Sequence, residues 1–215
     1  SVSLLTNRGL ARSRLDDAAG ALADYDRALA LDPDCVEALV NRANVLRDEL
    51  GDPARALADL DRAVALDPVK PQARLSRAIS RLGAGDAAGA EEDATVAISL
   101  APSGPAYFER AKARRALGAD AGALADYDAL IARSPGRHTY HFNRGNLRSD
   151  LGDQAGALAD FERTIELAPT FVPGWANLGS LRVDMGDVAG GITALERARA
   201  LARNPDERAK VERML

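Results

Sequence analysis

ALADYDRALALDP at residues 21–33, ALADLDRAVALDP at 56–68 and ALADFERTIELAP at 157–169 are three copies of one phrase, and its recurrence decides the fold. Two weaker copies, AEEDATVAISLAP at 90–102 and ALADYDALIARSP at 123–135, fall between them. Every copy ends on proline, and Pro33, Pro68, Pro102, Pro135 and Pro169 are spaced 35, 34, 33 and 34 residues apart. A second pattern precedes each phrase: NRG at 7–9, NRA at 41–43, SRA at 76–78, ERA at 109–111, NRG at 143–145 and NLG at 177–179. Self-similarity at a fixed period of this length marks stacked repeats, in which each unit buries its apolar face only against its neighbours.

Each copy reads as two helices. The first ends at a turn centred on Leu-Gly-Asp, as at Leu50-Gly51-Asp52 and Leu151-Gly152-Asp153. Glycine takes the left-handed conformation that closes a helix, and the aspartate accepts from the free N–H groups of the next one. The second helix runs to the residue or two before the proline, which cannot sit in a helix interior. Small residues recur in register: Gly9, Ala43, Ala78, Ala111, Gly145 and Gly179 in the first helices, and Ala21, Ala56, Ala90, Ala123, Ala157 and Gly191 in the second. They let two helices approach closely. The expected repeats span residues 2–35, 36–70, 71–103, 104–137, 138–171 and 172–204, in one domain over 1–215. Asn204-Pro205-Asp206-Glu207 reads as a further helix start, with a capping residue, a first-turn proline and a capping-box glutamate. Residues 205–215 are therefore expected to form a capping helix.

Composition narrows the function classes. Hydrophobic residues make up 47% and charged residues 28%, so a packed core is expected and wholesale disorder is not. With only nine aromatics among 215 residues, that core must be mostly Ala and Leu. No apolar run reaches the roughly 18 residues of a membrane span, so direct membrane insertion is not expected. A net charge of −4, with acids interleaving nearly every arginine, argues against nucleic acid as a partner. Cys35 is the single cysteine, which rules out an internal disulfide and a cysteine-built zinc site. The chain starts at Ser1 with no Met and no leader, and reads as a processed chain or a piece of a longer protein. The compartment cannot be read: cytoplasmic is the default, and a processed organellar chain is compatible with it.

The pattern resembles the tetratricopeptide repeat family over the whole chain. The shared features are the small residue after NR or NL, the L-G-D turn, the alanine opening the second helix and the closing proline. So too is the large residue at Tyr25, Leu60, Tyr127, Phe161 and Leu195. The chain departs from the family where Ala94 replaces the large residue, where Arg203 stands for the last proline, and where Arg8, Arg42, Arg77, Arg110 and Arg144 replace a large apolar residue. The resemblance implies an all-α, right-handed superhelical solenoid of six helix-turn-helix repeats plus the capping helix, with first helices lining a concave groove.

No constellation carries catalytic chemistry, and neither an enzyme activity nor a cofactor is expected. His138 and His141 share a helix face but lack the further ligands a metal site needs. Asp24-Tyr25-Asp26 and Asp126-Tyr127-Asp128 pair carboxylates, yet they recur at the repeat period, which points to a structural task. Mapped onto the family's groove, the exposed stripe contains Asn7, Asn41, Asn44, Asn143, Asn146 and Asn177, with Phe108, Phe142, Lys112, Arg47 and Arg115 among them. An amide is both donor and acceptor. Asparagines one repeat apart can bracket the backbone of an extended peptide, a ladder known in the family, here interrupted by Ser76 and Glu109. The family's carboxylate clamp is not matched, because its places hold Thr6, Leu10, Asn41, Gln72 and Ser76 and only Asn41 fits. The expected function is a non-enzymatic scaffold or adaptor that binds a protein or an extended peptide segment. The alternatives are the substrate-recruiting arm of a larger enzyme and a self-assembling unit.

Comparing the six copies adds one expectation. Arg8 and Asp24, Arg42 and Asp59, Arg77 and Asp93, Arg110 and Asp126, and Arg144 and Asp160 occupy matched places, whereas the sixth repeat has Leu178 and Ala194 there. Both members switch together. The pattern predicts an ion pair bridging the two helices of each of the first five hairpins, partly buried where Leu178 packs in the sixth.

Overall fold

The computed structural model describes residues 1–215, which fold into thirteen helices and no strand. The architecture is an all-α solenoid of helical repeats. It divides into two compact units, Ser1–Ala119 and Asp120–Leu215. The first unit holds α1 (Val2–Ser13), α2 (Ala18–Leu31), α3 (Val36–Asp48), α4 (Pro53–Leu66), α5 (Pro71–Gly83), α6 (Ala87–Leu100) and α7 (Gly104–Ala116). The second holds α8 (Asp120–Arg133), α9 (His138–Asp150), α10 (Gln154–Leu167), α11 (Val172–Asp184), α12 (Val188–Leu201) and α13 (Pro205–Glu212).

Local chemistry sets the helix ends. At the turns Gly51, Gly85, Gly118, Gly152 and Gly186 all have positive φ, and in the first repeat Asp16 takes that conformation at φ 59°. The side chains of Asp17, Asp52, Asp86, Asp153 and Asp187 then accept from backbone N–H groups in the first turn of the following helix. The closing helices stop because a residue before proline is pushed out of the helical region. Asp32, Asp67, Ala101 and Ala168, each followed by proline, have φ between −151° and −135°.

The core of each unit is mostly alanine and leucine, broken by a few large rings. In the first unit Leu39, Leu46 and Leu60 pack among Ala28, Ala43 and Ala63. In the second, Phe161 packs with Leu178, Leu181 and Ala194. Small residues make room for the rings: a Cβ added to Gly9 would lie 2.7 Å from Cε1 of Tyr25. Helix α13 docks Val211 against Ala176, Leu195 and Ala198, and Asn204 accepts from the Glu207 N–H at its start. No helix is long and apolar enough to cross a membrane.

Candidate functional site

The opening helices α1, α3, α5 and α9 present one face to solvent and use another to hold the hairpin together, and the second task explains their arginines. Asp24 is fully buried and receives Arg8 Nε at 2.8 Å and Arg8 Nη2 at 2.6 Å. Arg42 grips Asp59 at 2.8 and 2.7 Å, Arg77 grips Asp93 at 2.7 and 2.8 Å, and Arg144 grips Asp160 at 2.9 and 2.6 Å. These are the forked, charge-assisted contacts that guanidinium and carboxylate geometry favour. The sixth repeat buries Leu178 and Ala194 instead. Of the five expected pairs, four lie within one unit, while Arg110 and Asp126 are divided between the two.

The network is larger than the sequence pattern predicts. A second arginine one turn on, Arg12, Arg81 or Arg148, donates to the same carboxylate at 2.8–2.9 Å, and Arg74 adds a third to Asp93. The free Nη1 of the gripping arginine reaches the preceding repeat: Arg42 to Asp26, Arg77 to Asp61 and Arg144 to Asp128, at 2.8, 2.9 and 2.6 Å. Asp24-x-Asp26 and Asp59-x-Asp61 therefore each serve two repeats, the first acid binding the arginine of its own hairpin and the second the arginine of the next. Hydrogen bonds from Arg8 hold the Asp24 carboxyl below the usual carboxylate range, against the effect of burial. Burial pushes Asp93 up, but the hydrogen bonds of Arg77 and Arg74 and the charges of Arg77 and Arg81 outweigh it and leave it lowered. Arg42, Arg77 and Arg144 thus have all three guanidinium nitrogens occupied within the scaffold.

The other face carries the asparagines. In the first unit Asn7 is exposed, Asn41 is half-buried, and the Asn44 side-chain oxygen is buried without a hydrogen-bond partner. Arg47 extends from α3 to the Ser76 carbonyl and the Ser80 hydroxyl of α5, both at 3.3 Å. Phe108 lies half-buried under Lys112, whose Nζ is 5.7 Å from the ring centroid and which also pairs with Glu109 at 2.9 Å. In the second unit the Asn143 amide donates to the Thr139 carbonyl at 2.7 Å. The Asn177 amide donates to the Asn146 side-chain oxygen at 2.7 Å, linking α11 to α9. That contact leaves the Asn146 NH₂ donor and the Asn177 carbonyl acceptor unused, and these are the two kinds of group that a peptide unit of an extended chain requires. Phe142 packs edge-on to Phe171, with ring centroids 5.1 Å apart, and so lies closer to the seam between repeats than to open solvent. His138 meets the Phe171 ring edge-on, with centroids 5.0 Å apart, whereas His141 is buried with Nε2 3.1 Å from the Pro135 carbonyl. No group of three or more His, Cys, Asp or Glu side chains is placed to share a metal ion.

Helix α13 stands off α11 and leaves a recess of about 270 Å³ lined by Val172, Ala176, Asn177, Lys210, Val211 and Met214. Its walls come from residues far apart in sequence, and only the exposed Met214 hints at it.

The sequence pattern described as "Tetratricopeptide repeat" matches residues 6–49 and 46–105, and a second one of the same description matches 138–171. The chain belongs to the tetratricopeptide repeat family. No curated protein matches its sequence at a significant level. Among solved structures, a tetratricopeptide repeat protein from Parabacteroides merdae is 21% identical, with 99% of this chain and 83% of that one covered at a TM-score of 0.75. PilW, a widely conserved type IV pilus biogenesis factor, is 15% identical over 98% of both chains at a TM-score of 0.90. YrrB, a tetratricopeptide repeat protein with an unusual peptide-binding site, is 17% identical over 88% of this chain and 97% of that one, at 0.67. At these identities the likeness is one of fold. Tetratricopeptide repeats make protein-interaction scaffolds, and this chain has that architecture.

Proposed function

We propose that this tetratricopeptide repeat chain is a non-enzymatic scaffold that holds an extended segment of a partner polypeptide on the asparagine-bearing face of its opening helices. The observation that carries the reading is the Asn146–Asn177 contact, which presents an unused donor and an unused acceptor at the join of two repeats. Asn41 and Asn143 occupy the matching position of other repeats, and Asn7 does so in the first. The recess beside Asn177 suits an apolar side chain next to the gripped peptide unit. Partner polypeptide binding also accords with the family's general role and with the peptide-binding site of the similarly folded YrrB.

A peptide library displayed on phage and selected on the intact chain tests this. Enriched peptides should carry an apolar residue at a fixed place and weaken on Asn146→Ala and Asn177→Ala. Each lost hydrogen bond costs about 1 kcal/mol, or roughly fivefold in affinity. Peptides that bind both variants as tightly as the parent would remove this face as the site.

A further inference from the structure

Helix α13 stands to α11 as one opening helix stands to the one before it. Counting 34 residues on from Pro173, Ala176, Asn177 and Ser180 reaches Glu207, Lys210, Val211 and Met214. The recess of about 270 Å³ between the two helices therefore lies on the stripe that carries Asn41 and Asn44 in α3 and Asn143 and Asn146 in α9. Those four asparagines are only half-buried although further repeats follow them, so this stripe stays open where the chain continues. At the α11–α13 join the amides give way to apolar groups. Val211 takes the place of Asn143 and Asn177, Met214 takes that of Asn146, and with Val172 and Ala176 they give the recess apolar walls. An apolar cavity of about 150 Å³ already holds a benzene ring, and pockets for drug-sized ligands start at about 300 Å³. The recess takes one large apolar side chain.

Two charged side chains stand at its walls. The Glu207 carboxylate is engaged, accepting from the Arg203 N–H at 3.2 Å in the capping box of α13. Lys210 is exposed and pairs with no other side chain, and its matched positions in α9 and α11 are the uncharged Phe142 and Ala176. On the reading that the asparagine face holds the partner, we propose that the bound segment carries a large apolar residue with an aspartate or glutamate beside it. The apolar side chain fills the recess, and the carboxylate meets Lys210. Asn177, whose carbonyl oxygen is left free by the Asn146 contact, also lines the recess and accepts a backbone N–H of the same segment. The carboxylate belongs to a side chain, because a chain end is captured by several donors converging from a backbone nest, and the recess offers a single ammonium. Met214 is unbranched and adaptable, so the apolar place accepts leucine, methionine or phenylalanine, whereas the acidic place is strict.

The test selects a displayed library of random dodecapeptides on the intact chain, once with free carboxyl ends and once extended by a Gly-Ser tail. Both forms should enrich Leu, Met or Phe next to Asp or Glu. In a synthetic peptide of enriched sequence, changing the acid to its amide should weaken binding about two- to fivefold, and Lys210→Gln in the chain should erase that difference. Changing the apolar residue to Ala should weaken it at least about tenfold. Selection on Lys210→Glu should turn from acidic to basic peptides. Both variants alter an exposed side chain and should keep the parent's melting temperature. Peptides that weaken on Asn146→Ala and Asn177→Ala, yet lack the acid or ignore Lys210→Gln, overturn the proposal and leave the asparagine-face reading standing. Acids enriched only through a free carboxyl end overturn it too, since they give Lys210 to a chain terminus. An empty selection, or peptides indifferent to both asparagines, overturns that reading and the proposal with it.

Discussion

Removing the arginine of the second repeat should cost far more than removing that of the third, although sequence gives them the same role. Arg42 is the sole cation on Asp59, through contacts of 2.8 and 2.7 Å, and the Asp59 side chain is 12% exposed. The residue one turn on is Leu46, not a second arginine. Arg42→Leu therefore strands a nearly buried carboxylate, at a cost of about 3–5 kcal/mol. Asp26, its other partner, is 48% exposed and returns to water at little cost. Arg77→Leu leaves Asp93 with Arg74 and Arg81, each at 2.9 Å. Only one charge-assisted contact set is lost there, at about 1–3 kcal/mol. Adding Asp59→Ala to Arg42→Leu recreates the Leu178 and Ala194 chemistry of the sixth repeat and should recover most of the loss. Replacing both members of a buried pair with apolar groups is often neutral. Urea unfolding followed by circular dichroism gives the stability of each variant. Native-state hydrogen exchange at the amides of α3 and α4 reads the same quantity locally, which matters in a repeat array whose units can open separately. Equal costs for the two single variants, or a double variant as unstable as the sum of its singles, would refute the reasoning.

Three further outcomes follow from the same contacts. Gly145→Ala sets a Cβ 2.9 Å from Cε1 of Phe161 and 3.1 Å from Asp160 Cβ, so it should destabilise by about 1–3 kcal/mol despite alanine's better helix propensity, measured by thermal melting. The Asp24 and Asp93 carboxyls are lowered in the folded state, so their contribution is complete above their unfolded pKa near 4 and is lost as pH falls through the lower folded values. The urea midpoint should thus fall below about pH 4, and Asp93→Asn should flatten that fall. For the asparagine face, Asn143→Ala should weaken a peptide bound beside Asn146 and Asn177 by roughly fivefold while leaving the melting temperature in place.

The scaffold was legible because it repeats. Proline spacing, the L-G-D turns and the small residues in register led to the helices, and physical reasons local to each turn, such as the extended residue before Pro33 or Pro68, account for them. The Arg–Asp pairs were legible for a different reason: six copies in one chain act as an internal comparison, and Leu178 with Ala194 shows what happens when both members change. The second arginines were not legible in that way. Arg12, Arg81 and Arg148 follow the first arginine by one helical turn, a spacing equally suited to a solvated helix face, and no paired substitution marks their partner. The two acids of Asp24-x-Asp26 and of Asp59-x-Asp61 look alike in sequence, yet one is held within its own hairpin and the other spans to the next repeat.

The asparagine face illustrates a limit of a different kind. Asn146 and Asn177 were expected to act one repeat apart, and they do meet, but the contact joins the residue two after one arginine to the residue preceding the next repeat's Leu178. A ladder built on a single helix position does not contain that rung. In the first unit the matched pair is Asn44 with Ser76, where Arg47 instead crosses from α3 to the Ser76 carbonyl and fills the space with a side chain. The donor and acceptor pair is therefore available at the α9–α11 junction and not at α3–α5, because serine is too short to meet Asn44 and leaves its oxygen unpaired. A peptide held by backbone contacts should for that reason be gripped most firmly at Asn146 and Asn177. Substituting Ser76→Asn, with Arg47→Ala to clear the space, should build a second grip of the same kind in the first unit. An unchanged affinity in that variant, with its fold intact, would mean that paired amides are not what holds the ligand.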